Sequence, residues 1–282
     1  MPMAILLALA AAALYGASDF LGGLLSRRAH YGLVGLIGQC AAAVGGLTAA
    51  LAVGTHPTPS AIAWGMAAGI GGAIGTLALY RGLSRGQMNV AGPLSAVGAA
   101  GLPIPVDLLS GHEFTTLALL GLGLAIPGIW LVSTQSGGRG SGGVGPGLLA
   151  GLGFAALFIC LDRAGDGAGL WPVAASQLSA VVVLAAALAV FALAGRRSGA
   201  DNATHRKPPW AALWTGVLGV GATLMYFLAT GQGTLAVSAV ITSLYPAFTV
   251  ALATVVLRER TSPVHAVGLL LCAVSVGAFA AG

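Results

Sequence analysis

Asp19 is a carboxylate set in "YGASDFLGG" (Tyr15 to Gly23), inside an N-terminal run that is otherwise Ala, Leu and Gly. An acid in such surroundings must face a polar cavity, pair with a cation, or hold a proton. Tyr15 lies four residues earlier, on the same helical face, and Ser18 is adjacent. The other polar groups within long apolar runs are Gln39, Ser95, Gln177, Tyr226, Ser243 and Tyr245. These nine residues are the candidates for binding substrate or a proton near the membrane midplane. Ordinary interhelical hydrogen bonding is the competing role for each. Asp162 reads differently, because Arg163 is adjacent and the apolar run ends there, so an interfacial ion pair is expected. Asp107 and Glu113 read as outer-end residues and Asp201 as a loop residue. Tyr80 and Arg81 close an apolar run and read as an aromatic-belt residue and a snorkelling cation.

Composition sets the solvent in which these groups act. Of 282 residues 57% are apolar and 7% charged, with mean hydropathy +0.94, which places the chain in a lipid bilayer. The 45 glycines are spread through Leu, Ala and Val runs, as membrane helices tolerate, which argues against disorder. Cys40, Cys160 and Cys272 show no paired spacing, so neither a disulfide framework nor a zinc site is expected, and all three read as small packing residues. The net charge of +5 rests on so few charges that loop cations orienting helices explain it better than a nucleic-acid partner. There is no HExxH, no G-x-S-x-G and no phosphate-binding loop, so the chain is expected to be neither an enzyme nor an ATP-driven pump, with no cofactor and no metal.

The residues from Pro2 to Leu25 lack a basic flank and run about the 20 residues a spanning helix needs, so they read as a helix rather than a cleaved leader. Nine further runs follow: Leu33–Val53, Ala61–Tyr80, Val90–Leu109, Leu117–Ser133, Gly145–Leu161, Trp171–Ala194, Trp210–Thr230, Leu235–Leu257 and Val264–Ala281. Asp19 then sits roughly 9 Å from the end of the first helix, below the headgroups, at about 1.5 Å rise per residue. Eleven of the twelve Lys and Arg residues fall in loops after odd-numbered helices, and only Arg163 lies opposite. Cations in short loops stay cytoplasmic, so both termini are expected outside the cell membrane. Trp64, Trp171 and Trp210 near helix starts read as interface anchors, while Gly71 with Gly75 and Gly147 with Gly151 form small-residue pairs for close helix approach.

The chain also repeats. "AALYGASDF" (Ala12 to Phe20) aligns with "AALFICLDR" (Ala155 to Arg163), and Gln39 with Gln177. "LYRGLSRGQMNVAGPLSAV" (Leu79 to Val97) aligns with "YFLATGQGTLAVSAVITSL" (Tyr226 to Leu244). The expected fold is all-α and membrane-integral, with ten transmembrane helices as two inverted five-helix repeats. Residues 1–135 form the first repeat, 136–144 a Gly/Ser-rich linker and 145–282 the second. The stretch Ala236 to Leu271 resembles the EamA-type family of the drug/metabolite transporter superfamily: Ser243, Leu244 and Pro246 form an apolar Ser-Leu-x-Pro core, Glu259 and Arg260 a short Glu-Arg element, and a Gly-containing last helix follows. "ALYRGLSRGQMNVAGPL" of the first repeat is similar. Ala99 and Val240 depart from the pattern, each standing where a proline is expected, as does "GHEF", which lacks an Arg after Glu113. The resemblance implies a secondary transporter, an exporter of small metabolites such as amino acids or drug-like compounds, working by alternating access. Its partners would be a small-molecule substrate, protons as coupling ion and the lipid bilayer, with the protein a monomer or homodimer. The alternative is a non-transporting assembly or sensor protein, or a membrane-embedded enzyme on the same fold.

Overall fold

The structure, a computed structural model, describes residues 2–84, 88–111, 113–133, 144–165, 167–197, 210–256 and 263–281. Among them every regular element is an α-helix: α1 (Pro2–Ser26), α2 (Tyr31–Val53), α3 (Pro59–Ser84), α4 (Met88–Gly101), α5 (Pro103–Leu109), α6 (Thr116–Ser133), α7 (Val144–Ala164), α8 (Trp171–Arg197), α9 (Ala212–Thr230), α10 (Leu235–Thr242), α11 (Tyr245–Val256) and α12 (Pro263–Ala281). Among the described residues seven runs are long and apolar enough to cross a membrane, namely α1, α2, α3, α7, α8, α9 and the joined α10–α11. Shorter apolar stretches lie in α4–α5, α6 and α12. Most of the linker expected at 136–144, the Glu259–Arg260 element and Asp201 fall outside the described residues.

Helix ends follow local chemistry. Gly54 takes the left-handed conformation, φ 71°, that closes α2. Pro59 and Pro263 open α3 and α12, where the missing N–H would have had no helical partner. Two of the ten expected runs are interrupted. Pro246 cannot donate to Thr242 O, and the chain tightens instead, with Leu244 N bonded to Ile241 O and Ala247 N to Leu244 O. That separates α10 from α11 at Ser243 and Leu244. In the earlier run Ala99 leaves α4 intact, and the interruption moves to Leu102, just before Pro103 and Pro105.

Packing is inverted in residue size relative to a soluble core. The fully buried positions are dominated by Ala, including Ala8, Ala11, Ala50, Ala68 and Ala236, while large apolar side chains such as Leu6, Val44, Leu152, Val182 and Leu270 project outward. Lipid is as apolar as leucine, so helices gain more from close backbone approach than from hiding large side chains. The small-residue pairs serve this. A Cβ on Gly71 would meet Gly153 O at 2.8 Å across α3–α7, and one on Gly147 would meet Leu94 Cβ at 2.8 Å across α7–α4. Two approaches are tighter still: a Cβ on Gly216 of α9 would strike the Gly38 carbonyl of α2, and one on Gly69 of α3 would strike the Ser176 carbonyl of α8. The resulting neighbours are α3 with α7 and α8, α9 with α1 and α2, α4 with α7, α1 with α10 and α11, α2 with α8, and α6 with α12. Cys272 is buried as expected, but Cys40 is exposed on the outer face of α2.

Candidate functional site

Where α1, α2, α3, α7, α8 and α9 converge they leave a cavity of about 100 Å³. Its walls are backbone-smooth where Gly35, Gly38, Gly69, Gly72, Gly216 and Gly219 lie, and polar at a few points. Six of the nine residues expected from sequence line it: Tyr15, Ser18, Asp19, Gln39, Gln177 and Tyr245. The other three do not. Ser95 is fully buried behind Tyr245, its hydroxyl 3.0 Å from the tyrosine oxygen. Tyr226 points away, stacking on Phe158 with ring centroids 4.3 Å apart and donating to Phe158 O at 3.1 Å. Ser243 is fully buried in the α10–α11 interruption, and its hydroxyl has no hydrogen-bond partner among the described residues.

The polar lining is a connected network. Gln39 Nε2 donates to Gln177 Oε1, bridging α2 and α8, and also reaches Gln177 O at 3.3 Å. Gln177 Nε2 donates to Thr223 Oγ1 at 3.3 Å, and the Tyr15 hydroxyl lies 2.8 Å from the same oxygen. Thr223 already gives its one proton to Gly219 O at 2.9 Å, so Tyr15 must be the donor in their bond. The same reasoning holds at Tyr245. Ser95 donates to Gly92 O at 2.8 Å, which leaves Tyr245 to donate to Ser95. Ser18 donates to Thr215 O at 2.9 Å, tying α1 to α9.

Asp19 stands apart from this network. Among the described residues no hydrogen bond or ion pair reaches its carboxylate, and Tyr15, Tyr80 and Tyr245 share the cavity wall with it. Tyr80 corrects the sequence reading, because it is not a belt residue: it is 5% exposed, lines the cavity, and its hydroxyl reaches Ser18. Gly22 makes room for it, since a Cβ there would collide with the phenol ring. Arg81, by contrast, is exposed. Sequence reasoning also missed Thr76, Ser176, Thr215 and Thr223, all in the lining. The spacing from Tyr80 back to Thr76, four residues on one helical face, was the available signal.

The remaining acids lie elsewhere. Asp107 is 1% exposed rather than solvent-facing, and its Oδ2 accepts the backbone N–H of Ala236 at 2.8 Å, in the first turn of α10. Arg163 donates to Ser110 Oγ at 2.9 Å, linking the end of α7 to the end of α5. Trp171 donates from Nε1 to Thr55 O at 2.7 Å, which holds the start of α8 against the α2–α3 connection. Among the described residues no three His, Cys, Asp or Glu side chains gather as a metal site.

Residues 142–280 match the EamA-like transporter family. A solved crystal structure of a protein shares the fold, with TM-score 0.70 over 98% of this chain and 96% of its own, at 17% sequence identity. No curated protein matches the sequence. Among its described residues the chain thus has the apolar helices of a multi-pass membrane protein, and its second half, residues 142–280, is similar to the EamA-like transporter family.

Proposed function

We propose that the protein is a secondary transporter that exports a small metabolite by alternating access, with residues 1–135 and 145–282 as two inverted repeats of five membrane passes each. The packing supports this division. If each pass of the first half is matched to its counterpart in the second, with α4–α5 and α10–α11 each counted as one, the most extensive contacts have mates. α3 with α7 corresponds to α9 with α1, α3 with α8 to α9 with α2, and α4 with α7 to α10–α11 with α1. The α2–α8 and α6–α12 pairs correspond to themselves. The tight glycine approaches follow suit, Gly69 on Ser176 mirroring Gly216 on Gly38.

A site at the interface of two such halves can be exposed to either side by rocking one against the other. The observation that carries the reading is the cavity itself: it lies between the halves, is bridged by the Gln39–Gln177 hydrogen bond, and holds one carboxylate that has no partner among the described residues. Inward proton flow through Asp19 would drive the substrate out if proton and substrate compete for the same carboxylate. Loop cations such as Arg27, Arg28 and Arg81 support cytoplasmic placement of the loops after odd-numbered passes, and so extracytoplasmic termini. Phosphatase and fluorescent reporters fused separately to the C-terminus test the topology: an active phosphatase and dark fluorophore are expected, and the reverse overturns it. For transport, metabolites retained by cells with and without the protein are compared, and any difference is followed in proteoliposomes. At least one small metabolite is expected to be depleted and to show saturable flux. Identical profiles, with no flux in a panel of metabolites, would overturn the transporter reading.

A further inference from the structure

We infer that the cavity takes a compact organic ammonium ion, held by the Asp19 carboxylate and enclosed by the rings of Tyr15, Tyr80 and Tyr245. The inference rests on the transporter reading and narrows its substrate class.

Charge is the first reason. Among the described residues Asp19 is the one acid in the cavity wall, and no Lys, Arg or His lines it. A carboxylate in a low-dielectric site without a partner costs several kcal/mol unless a cation or a proton compensates it. An anionic substrate would raise that cost.

Hydrogen-bond capacity is the second. The hydroxyls that line the cavity have their protons committed to the protein. Ser18 donates to Thr215 O, Thr215 to Ala212 O at 2.7 Å, Ser176 to Val173 O at 2.8 Å and Thr223 to Gly219 O. Tyr15 and Tyr245 donate to Thr223 and Ser95 respectively, and Gln39 donates to Gln177. Thr76 and the second Nε2 proton of Gln177 are the exceptions. The wall is therefore rich in acceptors and poor in donors. A carboxylate or phosphate group would find almost nothing to bind, and the carboxyl end of a zwitterion would fare no better. A ligand that brings only positive charge or N–H donors matches the wall.

Shape and surface are the third. Phe154 and Phe158 add two aromatic rings to the three tyrosines. Rings present a negative face to a cation, and each favourable contact is worth about 0.5–2 kcal/mol. The cavity volume is about 100 Å³. That accommodates a compact ion such as a methylated or primary ammonium.

The test uses the intact chain purified in detergent, with tetramethylammonium as probe and calorimetric titration as readout. Acetate and tert-butanol serve as anionic and neutral comparators. Saturable tetramethylammonium binding is expected, at least tenfold tighter than either comparator. Asp19→Asn, whose thermal melting checks its fold, is expected to lose at least tenfold in affinity. Tyr80→Leu is expected to lose about threefold to thirtyfold, whereas Tyr80→Phe, which keeps the ring, stays within about threefold. Absence of tetramethylammonium binding, equal binding of acetate, or unchanged affinity in a folded Asp19→Asn overturns the assignment. If neutral or anionic solutes cross proteoliposomes independently of Asp19, the ammonium assignment falls while the transporter reading stands. If tetramethylammonium binds through Asp19 but no solute crosses, the reverse holds.

Discussion

Asp19 and Asp107 are both carboxylates within an apolar helical bundle, and their surroundings divide them. Asp107, at the end of α5, is sealed from solvent and accepts the backbone N–H of Ala236 in the first turn of α10. A negative charge there meets the positive end of the helix dipole and satisfies an N–H that has no helical partner. Asp19, in α1, faces a cavity, and among the described residues nothing donates to it. One carboxylate is consumed by the architecture, holding the interrupted fourth run against the interrupted ninth. The other is left available. The difference shows that burial of an acid is not by itself a functional signal; the state of its hydrogen-bond account is.

That contrast can be broken or sharpened by substitution. The largest effect on stability is expected at Asp107→Ala, which strands the Ala236 N–H and removes the dipole contact. A loss of about 2–4 kcal/mol is expected, read as a lowered thermal melting temperature in detergent, while Asp19→Asn melts at or above the wild-type temperature. Equal destabilisation by both would erase the distinction. Next comes Gly22→Ala, where the new methyl collides with the Tyr80 ring. Overpacking of this kind costs about 1–3 kcal/mol, and quenching or accessibility measurements at Tyr80 should show its displacement from the cavity wall. Tyr15→Phe is smaller, since it removes one hydrogen bond to Thr223 and is expected to cost about 1 kcal/mol, leaving the charge of the cavity unchanged.

The smallest effect concerns the loop that follows α1. His30 caps α2 through Nδ1, which accepts the Gly32 N–H at 3.2 Å, and burial holds its pKa below the ordinary 6.5. A histidine with a lowered folded pKa favours its neutral form, so its contribution is present above about pH 6.5 and is lost as pH falls below it. Hydrogen exchange at Gly32 should therefore accelerate between neutral pH and about pH 5 after correction for intrinsic rates, and His30→Ala should remove that dependence.

Much of this arrangement was legible in the sequence, and the failures have physical causes. Polar residues in apolar runs stand out because lipid makes them expensive, so Tyr15, Asp19, Gln39, Gln177 and Tyr245 could be singled out. Tyr226 is of the same kind yet turns toward Phe158, because helices built of Ala, Gly and Leu on all sides carry no periodic stripe to say which face points inward. Tyr80 was misread for the opposite reason: its neighbour Arg81 marks a membrane boundary, but the side chain folds back over Gly22 into the bundle. The two helix interruptions fall at Pro103, Pro105 and Pro246, inside runs expected to be continuous, and the positions of the breaks depended on which carbonyls could find other partners. The Asp107–Ala236 bond joins residues 129 apart, and no local pattern encodes it.

The availability of Asp19 is tested most directly by transport in proteoliposomes under an imposed pH gradient. The solute is one that cells carrying the protein lose, and wild type is compared with Asp19→Asn and Asp162→Asn at matched protein content. Asp162 sits near the end of α7, outside the cavity wall. Gradient-driven flux is expected to vanish in Asp19→Asn and to persist largely in Asp162→Asn. Full gradient-driven flux in Asp19→Asn would contradict the account, leaving the carboxylate a packing residue.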